Sequence, residues 1–408
     1  MLVHVQREYK INKIFLSFLG IWPFQNKLAR NLIPIFCLAY IISYYSLEIM
    51  MLYDHWKDTR LVFDCCYESV LITTCNAKLL NQFLLHDKIQ HLYETINNHW
   101  NIFTNKSELQ ILKNYSNISR KFTIIYSIMI CSMVTLFFLI PLTPVLLDII
   151  RPLNDSRPRL FAMSLKLRID QEKYYVPLYC YQYSITVLGA IVIACFDTTY
   201  VVKTAHACSL FSIINQQFEE ILSKLEITKQ VSKYNLDEDL ELLSEKEIYQ
   251  QYIICLKKYQ FALEFVNLLN STYQVVALFL LILNGMVISL VGIRIVYVLD
   301  QLQEVIRFSF VIVTMLIQLM IGCYSGQKLM DESQNIFYQI YAMKWYKFSP
   351  RLKSLLMITL YRSITPCSLT AGNMIPLSMT TYATVRKKMQ MVYLICNVGT
   401  ENNIYLCI

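Results

Sequence analysis

The chain has 408 residues, of which 55% are hydrophobic and 16% charged, with a net charge of +8 and 13 cysteines. Ordinary soluble domains carry roughly 25% charged residues, so water is not this chain's main solvent. Only 8 glycines and 10 prolines are present to make loops, and regular structure in lipid must be helical because every backbone polar group there is bonded internally.

The first 30 residues carry Arg7, Lys10, Lys13, Lys27 and Arg30 and contain no apolar run followed by small residues. No cleavable secretion signal is expected, and segment 1–30 is expected to stay in the cytoplasm. Seven apolar stretches follow that can cross about 30 Å of hydrocarbon. They cover 31–53, 61–85, 122–147, 177–202, 273–298, 305–324 and 368–396. The second carries Asp64, Glu68 and Lys78 towards its ends, and Arg386, Lys387 and Lys388 interrupt the seventh. The expected fold is an all-α membrane protein of seven transmembrane helices. Helices 1–4 occupy 31–204 with an outer loop at 148–176, helices 5–6 occupy 271–326, helix 7 occupies 366–396, and 397–408 is an outer tail.

Basic residues alternate in number along the loops. The N-terminal segment has 5 Lys and Arg, and the loops after spans two, four and six have 5, 7 and 6. The intervening first and third loops have 2 and 6. Positive charge favours the cytoplasmic side, which places the N-terminus inside and the C-terminus outside, the reverse of a G-protein-coupled receptor.

Two regions, 205–270 and 327–365, read as cytoplasmic helices. In the first, Tyr252, Leu256, Tyr259 and Leu263 form one helical stripe, with Lys257 and Lys258 off it. In the second, Ile336, Ile340 and Met343 form one line and Phe337, Tyr341 and Trp345 another. Such faces bury against each other, against another subunit or on the bilayer surface. The outer loop carries Arg151, Asp155, Arg157, Arg159, Lys166 and Arg168, compatible with a lid over a cavity mouth and with a solvated connector.

No enzyme motif is present, and no CxxC or Cys/His ligand spacing occurs, so neither catalysis nor a metal or other cofactor is expected. Cys65, Cys66 and Cys180 lie near outer span ends, compatible with a disulfide and with packed free thiols. His206, on the cytoplasmic continuation of span four, is expected to be structural. The basic residues form no stripe with stacking aromatics, so nucleic acid is not an expected partner.

The outer halves of the spans contain an aromatic, sulfur-rich and sparsely polar set. It comprises Cys66, Tyr67 and Val70 on span two, Phe137, Phe138 and Pro141 on span three, Tyr181 and Tyr183 on span four, and Tyr297 and Phe308 at the outer ends of spans five and six. A lining of this kind suits a small neutral apolar ligand held by dispersion.

Several ordered motifs resemble the insect odorant receptor family. Gly20-Ile21-Trp22-Pro23 is similar to the segment that precedes its first span. Lys78, with the helical run to Leu92 and Trp100, resembles its first cytoplasmic connection, and His206 falls where histidine is common. The densest likeness runs through Cys323-Tyr324-Ser325-Gly326-Gln327, Glu332-Ser333, Tyr341, Trp345-Tyr346, Arg362-Ser363, Pro366, Leu369-Thr370-Ala371-Gly372 and Pro376-Leu377-Ser378. The resemblance implies a tuning subunit of a heteromeric ligand-gated non-selective cation channel, assembled with an odorant co-receptor subunit as a heterotetramer. It would lie in the plasma membrane of a sensory neuron dendrite and bind a small apolar volatile ligand in the outer half of the helix bundle. It also implies a subunit anchor that includes Tyr341, Trp345 and Pro366, and a pore lined near Ile395 and Gly399.

Two departures bear on the pore. Arg386-Lys387-Lys388-Met389-Gln390 occupies the approach to the family's aromatic run near Tyr393, and three cations beside a cation pore raise its barrier unless they face away or pair. The tail from Asn397 to Ile408 passes the family's usual end. Either this subunit contributes little to the pore or the last segment is a gene-model artefact. A gustatory receptor of the same superfamily is the main alternative; Thr381-Tyr382 fits its last-span motif, but Lys388-Met389 stands where Gln-Phe is expected. A G-protein-coupled receptor would need the opposite orientation.

Orientation yields a direct expectation. Asn105, Asn114 and Asn117 begin glycosylation sequons in the loop after span two, and Asn154 begins one in the loop after span three. Glycan mapping is expected to find sugar at Asn154 and at none of the other three; sugar at any of those three contradicts the topology.

Overall fold

The computed structural model describes residues 3–150, 161, 163, 173–232, 238–299, 301–342 and 348–401. An amphipathic N-terminal arm, α1 (Val3–Glu8) and α2 (Lys10–Phe18), precedes α3 (Lys27–Asp54). Gly20 turns the chain between them with φ +71°; a Cβ there would meet Pro34, Ile33 and the Ala29 carbonyl oxygen within 2.9 Å. Behind this turn Trp22 is buried against Tyr93, with ring centroids 5.1 Å apart.

Next come α4 (Thr59–Leu84), α5 (His86–Ile102), α6 (Lys106–Ile150), α7 (Tyr175–Ser232), α8 (Glu238–Tyr297) and α9 (Leu302–Ala342). The Asp58 carboxylate caps α4 by accepting from the Arg60 N–H at 3.1 Å. At 1.5 Å per residue the 58 and 60 residues of α7 and α8 extend roughly 90 Å, about three times the hydrocarbon thickness. They therefore cross the membrane and continue well beyond it at the lysine- and arginine-rich end of the bundle, called here the basic end.

Among the described residues five helices are long and apolar enough to span: α3, α6, α7, α8 and α9. The second and seventh predicted spans fall on α4 and α11 (Met379–Glu401), which carry more charge. In α4 that charge is paired inside the protein. Asp64 accepts two hydrogen bonds from Arg294 at 2.8 and 3.2 Å, and Lys78 donates to Asp197 at 2.7 Å.

At the basic end α5, α7, α8, α9 and α10 (Pro350–Ser363) share one core that includes Trp100, Phe211, Phe218, Phe265, Ile336 and Leu356. Tyr252 and Tyr259 of the predicted stripe are buried there, with Leu256 and Leu263 partly buried beside them. On α9 the Ile336 and Ile340 line faces inward, whereas Tyr341 is 63% exposed. Met343 and Trp345 lie outside the described residues, as do Asn154 and most of the outer loop. His206 is not isolated: its Nε2 lies 3.1 Å from Nδ1 of His99, and the rings stack at 5.4 Å. Burial pushes the His99 imidazole down to about 4, so it is neutral near pH 7.

The largest departure from expectation precedes the last helix. The predicted span 368–396 becomes helical only at Met379, because residues before it fold into a hairpin of β1 (Thr370–Ala371) and β2 (Ile375–Pro376). Gly372 and Asn373 take φ +62° and +58°, and the Met374 N–H donates to the Ala371 carbonyl at 3.2 Å, the pattern of a type I′ turn. Asn270 of α8 clamps β1 by accepting from the Thr370 N–H at 2.8 Å, and the Gly372 N–H donates to the Gln274 carbonyl at 2.9 Å. Gly326 of α9 lies directly against Leu377, so the hairpin holds the start of α11 on two long helices.

A Cβ on Gly326 would sit 2.2 Å from the Leu377 carbonyl oxygen, closer than any real contact. Gly326→Ala is expected to destabilise the protein by about 1 to 3 kcal/mol through overpacking. Thermal unfolding of the solubilised full chain measures this, and an unchanged midpoint would show that α9 and Leu377 do not meet as described.

Candidate ligand chamber

An apolar chamber of ≈ 180 Å³ lies between α4, α6, α7 and α9, in the half of the bundle away from the basic end. Helical periodicity builds its walls. Tyr67, Leu71 and Cys75 recur along α4, Ile130, Val134 and Phe137 along α6, Ile185, Gly189 and Ile193 along α7, and Phe310, Thr314 and Met315 along α9. Gly189 permits the approach of α7 to α4, since its Cβ would already stand 3.3 Å from the Cys75 sulfur.

The lining presents little polarity. Each of three threonine hydroxyls donates to its own helix, Thr74 to Val70 at 3.0 Å, Thr186 to Gln182 at 2.9 Å and Thr314 to Phe310 at 2.8 Å. Their remaining lone pairs can orient a ligand without leaving a donor unpaired when the chamber is empty. The Glu68 carboxylate at the wall accepts from the Tyr44 and Tyr67 hydroxyls at 2.9 and 3.2 Å. What the chamber can do chemically is hold a small carbon-rich molecule by dispersion and shape.

Its floor is a buried polar junction. The Lys78 ammonium donates to Asp197 Oδ1 at 2.7 Å and to Gln318 Oε1 at 3.0 Å, and the Tyr126 hydroxyl donates to Asp197 Oδ2 at 2.7 Å. Each member lies about one helical turn below a wall residue: Lys78 below Cys75, Tyr126 below Ile130, Asp197 below Ile193, Gln318 below Thr314. Four helices thus meet at one ion pair whose lysine is only 2% exposed.

Of the residues singled out from sequence, Tyr67 and Phe137 line the chamber. Phe308 is fully buried with its ring edge-on to Tyr67 at 5.6 Å, and Val70 packs against the same small cluster. Phe138 is one residue, or about 100° of helix, away from Phe137 and packs instead on Tyr179 and Tyr183, at 5.6 and 5.1 Å. Pro141 is buried further along α6. Tyr181 turns towards α3, exchanging a 2.7 Å hydrogen bond with Ser43. Cys66 is exposed for the same reason of phase, and Tyr297, 65% exposed, ends α8 beyond the chamber. Cys65, Cys66 and Cys180 are free thiols. Ile395 and Gly399 fall on the last turns of α11, and their side chains lie outside the described residues.

Sequence reasoning missed the deeper wall residues and Asp197. A usable signal existed: continuing the Tyr67 and Phe137 faces inward by two successive steps of three or four residues reaches Cys75 and Ile130. Asp197 and Lys78 are opposite charges near the same end of adjacent spans, and their pairing was open to inference from the topology.

Together these features define a multi-pass helical membrane protein with an apolar chamber among its helices. Residues 58–389 match the family described as 7tm Odorant receptor, and the chain belongs to that family. Among relatives from Drosophila melanogaster, odorant receptor 42b is 26% identical over 147 residues, covering 36% of this chain and 37% of the relative. Odorant receptor 63a is 23% identical over 257 residues, covering 62% and 56%. The matched region thus spans between about a third and somewhat over half of these relatives. The fold is similar to that of the insect olfactory receptor OR5 from Machilis hrabei in complex with eugenol, with TM-score 0.73, 11% identity and coverage of 97% and 98%. A second structure of the same receptor gives TM-score 0.69 at 12% identity.

Removing one partner from a buried ion pair leaves an uncompensated charge and costs about 3 to 5 kcal/mol, whereas replacing both by apolar groups is far milder. Lys78→Met is therefore expected to lower thermal stability strongly, and the double variant Lys78→Met/Asp197→Leu to recover much of the loss. Additive losses in the two single variants and the double variant would show that the pair is not coupled.

Proposed function

We propose that the chain is the odour-tuning subunit of a heteromeric, odorant-gated, non-selective cation channel. The observation that carries this reading is the apolar chamber of ≈ 180 Å³ above the Lys78–Asp197 junction. A small volatile ligand fits its size and its carbon- and sulfur-rich walls, which include Tyr67, Phe137, Met133 and Phe310. Binding opens the channel to the extent that the open state holds the ligand more tightly than the closed one.

The orientation is the one favoured by positive charge, with the basic end in the cytosol and the chamber towards the exterior of the plasma membrane. The partner is a co-receptor subunit in a heterotetramer. An exposed apolar face at the basic end supports this: Tyr338, Tyr341, Ile358, Tyr361 and Ile364 are 57 to 81% exposed in the isolated chain. Surfaces of that kind on helices beyond the membrane mark subunit contacts. Tyr341 and the half-buried Pro366 would take part in this anchor, together with Trp345, which lies outside the described residues. Lys388 and Val385 of α11 line an open groove whose other wall on α8 includes Gly285 and Ser289.

Co-expression with the co-receptor and recording under an odorant panel tests the reading. Odorant-evoked current is expected to persist when G proteins are blocked. Phe137→Ala is expected to raise the half-maximal concentration of a good agonist about tenfold, by loss of about 1.5 kcal/mol of buried apolar contact, with surface assembly unchanged. Current abolished by the block would overturn the receptor-channel reading, and lost assembly would make Phe137 a packing residue.

A further inference from the structure

Below the ion pair lies a second cavity, ≈ 70 Å³, whose chemistry differs from that of the chamber above. Lys78, Asp197 and Gln318 form its roof, and Asn284 of α8, Gly322 of α9 and Leu377 before α11 contribute to its walls. The ion-pair residues line this cavity directly and lie a helical turn below the wall residues of the chamber above.

Two residues lining this cavity each carry a polar atom with no protein partner: Gln318 Nε2 and Asn284 Oδ1. Both side chains are deeply buried, at 7% and 5% exposure. The Gln318 orientation follows from its neighbour. An ammonium can only donate, so Lys78 holds Gln318 Oε1 towards itself and leaves Nε2 as the free donor. Buried amide groups are almost always hydrogen-bonded, and two residues that carry unpaired ones line one void large enough for several waters, which calls for an occupant. Lys78 and Asp197 already neutralise each other, so that occupant carries no net charge.

We propose that this inner cavity is a second ligand site, which takes a small neutral molecule bearing one hydrogen-bond acceptor and one donor, such as a short-chain alcohol, in exchange for resident water. The acceptor meets Gln318 Nε2, the hydroxyl donates to Asn284 Oδ1, and the short alkyl chain lies along Leu280, Leu319 and Leu377. Its occupant bridges α8 and α9 beside Leu377, the residue whose carbonyl oxygen packs on Gly326 and leads into α11. Occupancy therefore biases the position of the last helix from below, independently of the chamber above.

The inference rests on the proposed channel reading for its readout. The full chain is co-expressed with the co-receptor, and agonist concentration–response is recorded with and without 1-propanol, using 1-chloropropane as a probe of similar size without a hydroxyl. A shift of about fivefold in half-maximal agonist concentration is expected with the alcohol, within the usual range of coupling between sites, and little with the chloride. Gly322→Leu fills the cavity, since a Cβ at Gly322 meets nothing within 4 Å, and Asn284→Leu removes the acceptor. Both are expected to abolish the alcohol effect while agonist alone still evokes current. If Gly322→Leu does not reach the surface, Gly322→Ala takes its place and is expected to reduce the effect.

An alcohol effect that survives in these variants, equal effects of alcohol and chloride, or no effect on the wild type would each overturn the second site. Failure of the channel reading is recognised separately, as absence of any agonist-evoked current from the wild type without alcohol.

Discussion

The Lys78–Asp197 ion pair is the constraint around which the membrane part of this protein is organised. Its partners come from α4 and α7, and Tyr126 and Gln318 bring in α6 and α9. In hydrocarbon neither charge survives alone, so these four helices meet at one depth or the site is not formed. A purely apolar bundle has no such requirement and would close over a void of ≈ 180 Å³ by repacking. The junction sets the helix spacing, and the spacing leaves the chamber.

From the junction the same helices run without interruption into the basic-end core. α7 and α9 carry both wall residues and buried core residues such as Phe211, Phe218 and Ile336. A ligand that changes the packing of wall residues therefore acts on elements that also hold the hairpin and α11. Gly326 against Leu377 is where the two meet most closely. Close-packed elements shift between discrete arrangements rather than deform smoothly, which suits a two-state channel.

Much of the fold was legible in the sequence because it depends on run length and composition alone. Apolar runs such as 122–147 and 273–298 have no alternative to a membrane helix, and the Tyr252–Tyr259 stripe pointed to a buried helix beyond the membrane. The hairpin was not read, because Leu369-Thr370-Ala371 and Ile375-Pro376-Leu377 look like parts of an apolar run. Gly372-Asn373 between them did carry the signature of a tight turn.

The site was legible in part. Tyr67 and Phe137 could be chosen as aromatic residues in the outer half, but whether Phe137 or Phe138 faced the chamber depended on helix phase, which packing decides. The floor was hidden for a different reason: Lys78 read as a charge towards a span end, and Asp197 was not singled out. Only the tertiary arrangement turns those two liabilities into one neutral pair.

The most direct test is a cryo-electron microscopy structure of the full chain assembled with its co-receptor and bound to an agonist. The account predicts ligand density between α4, α6, α7 and α9, resting above an intact Lys78–Asp197 contact. Agonist density at another site, with this chamber empty or collapsed, would contradict it.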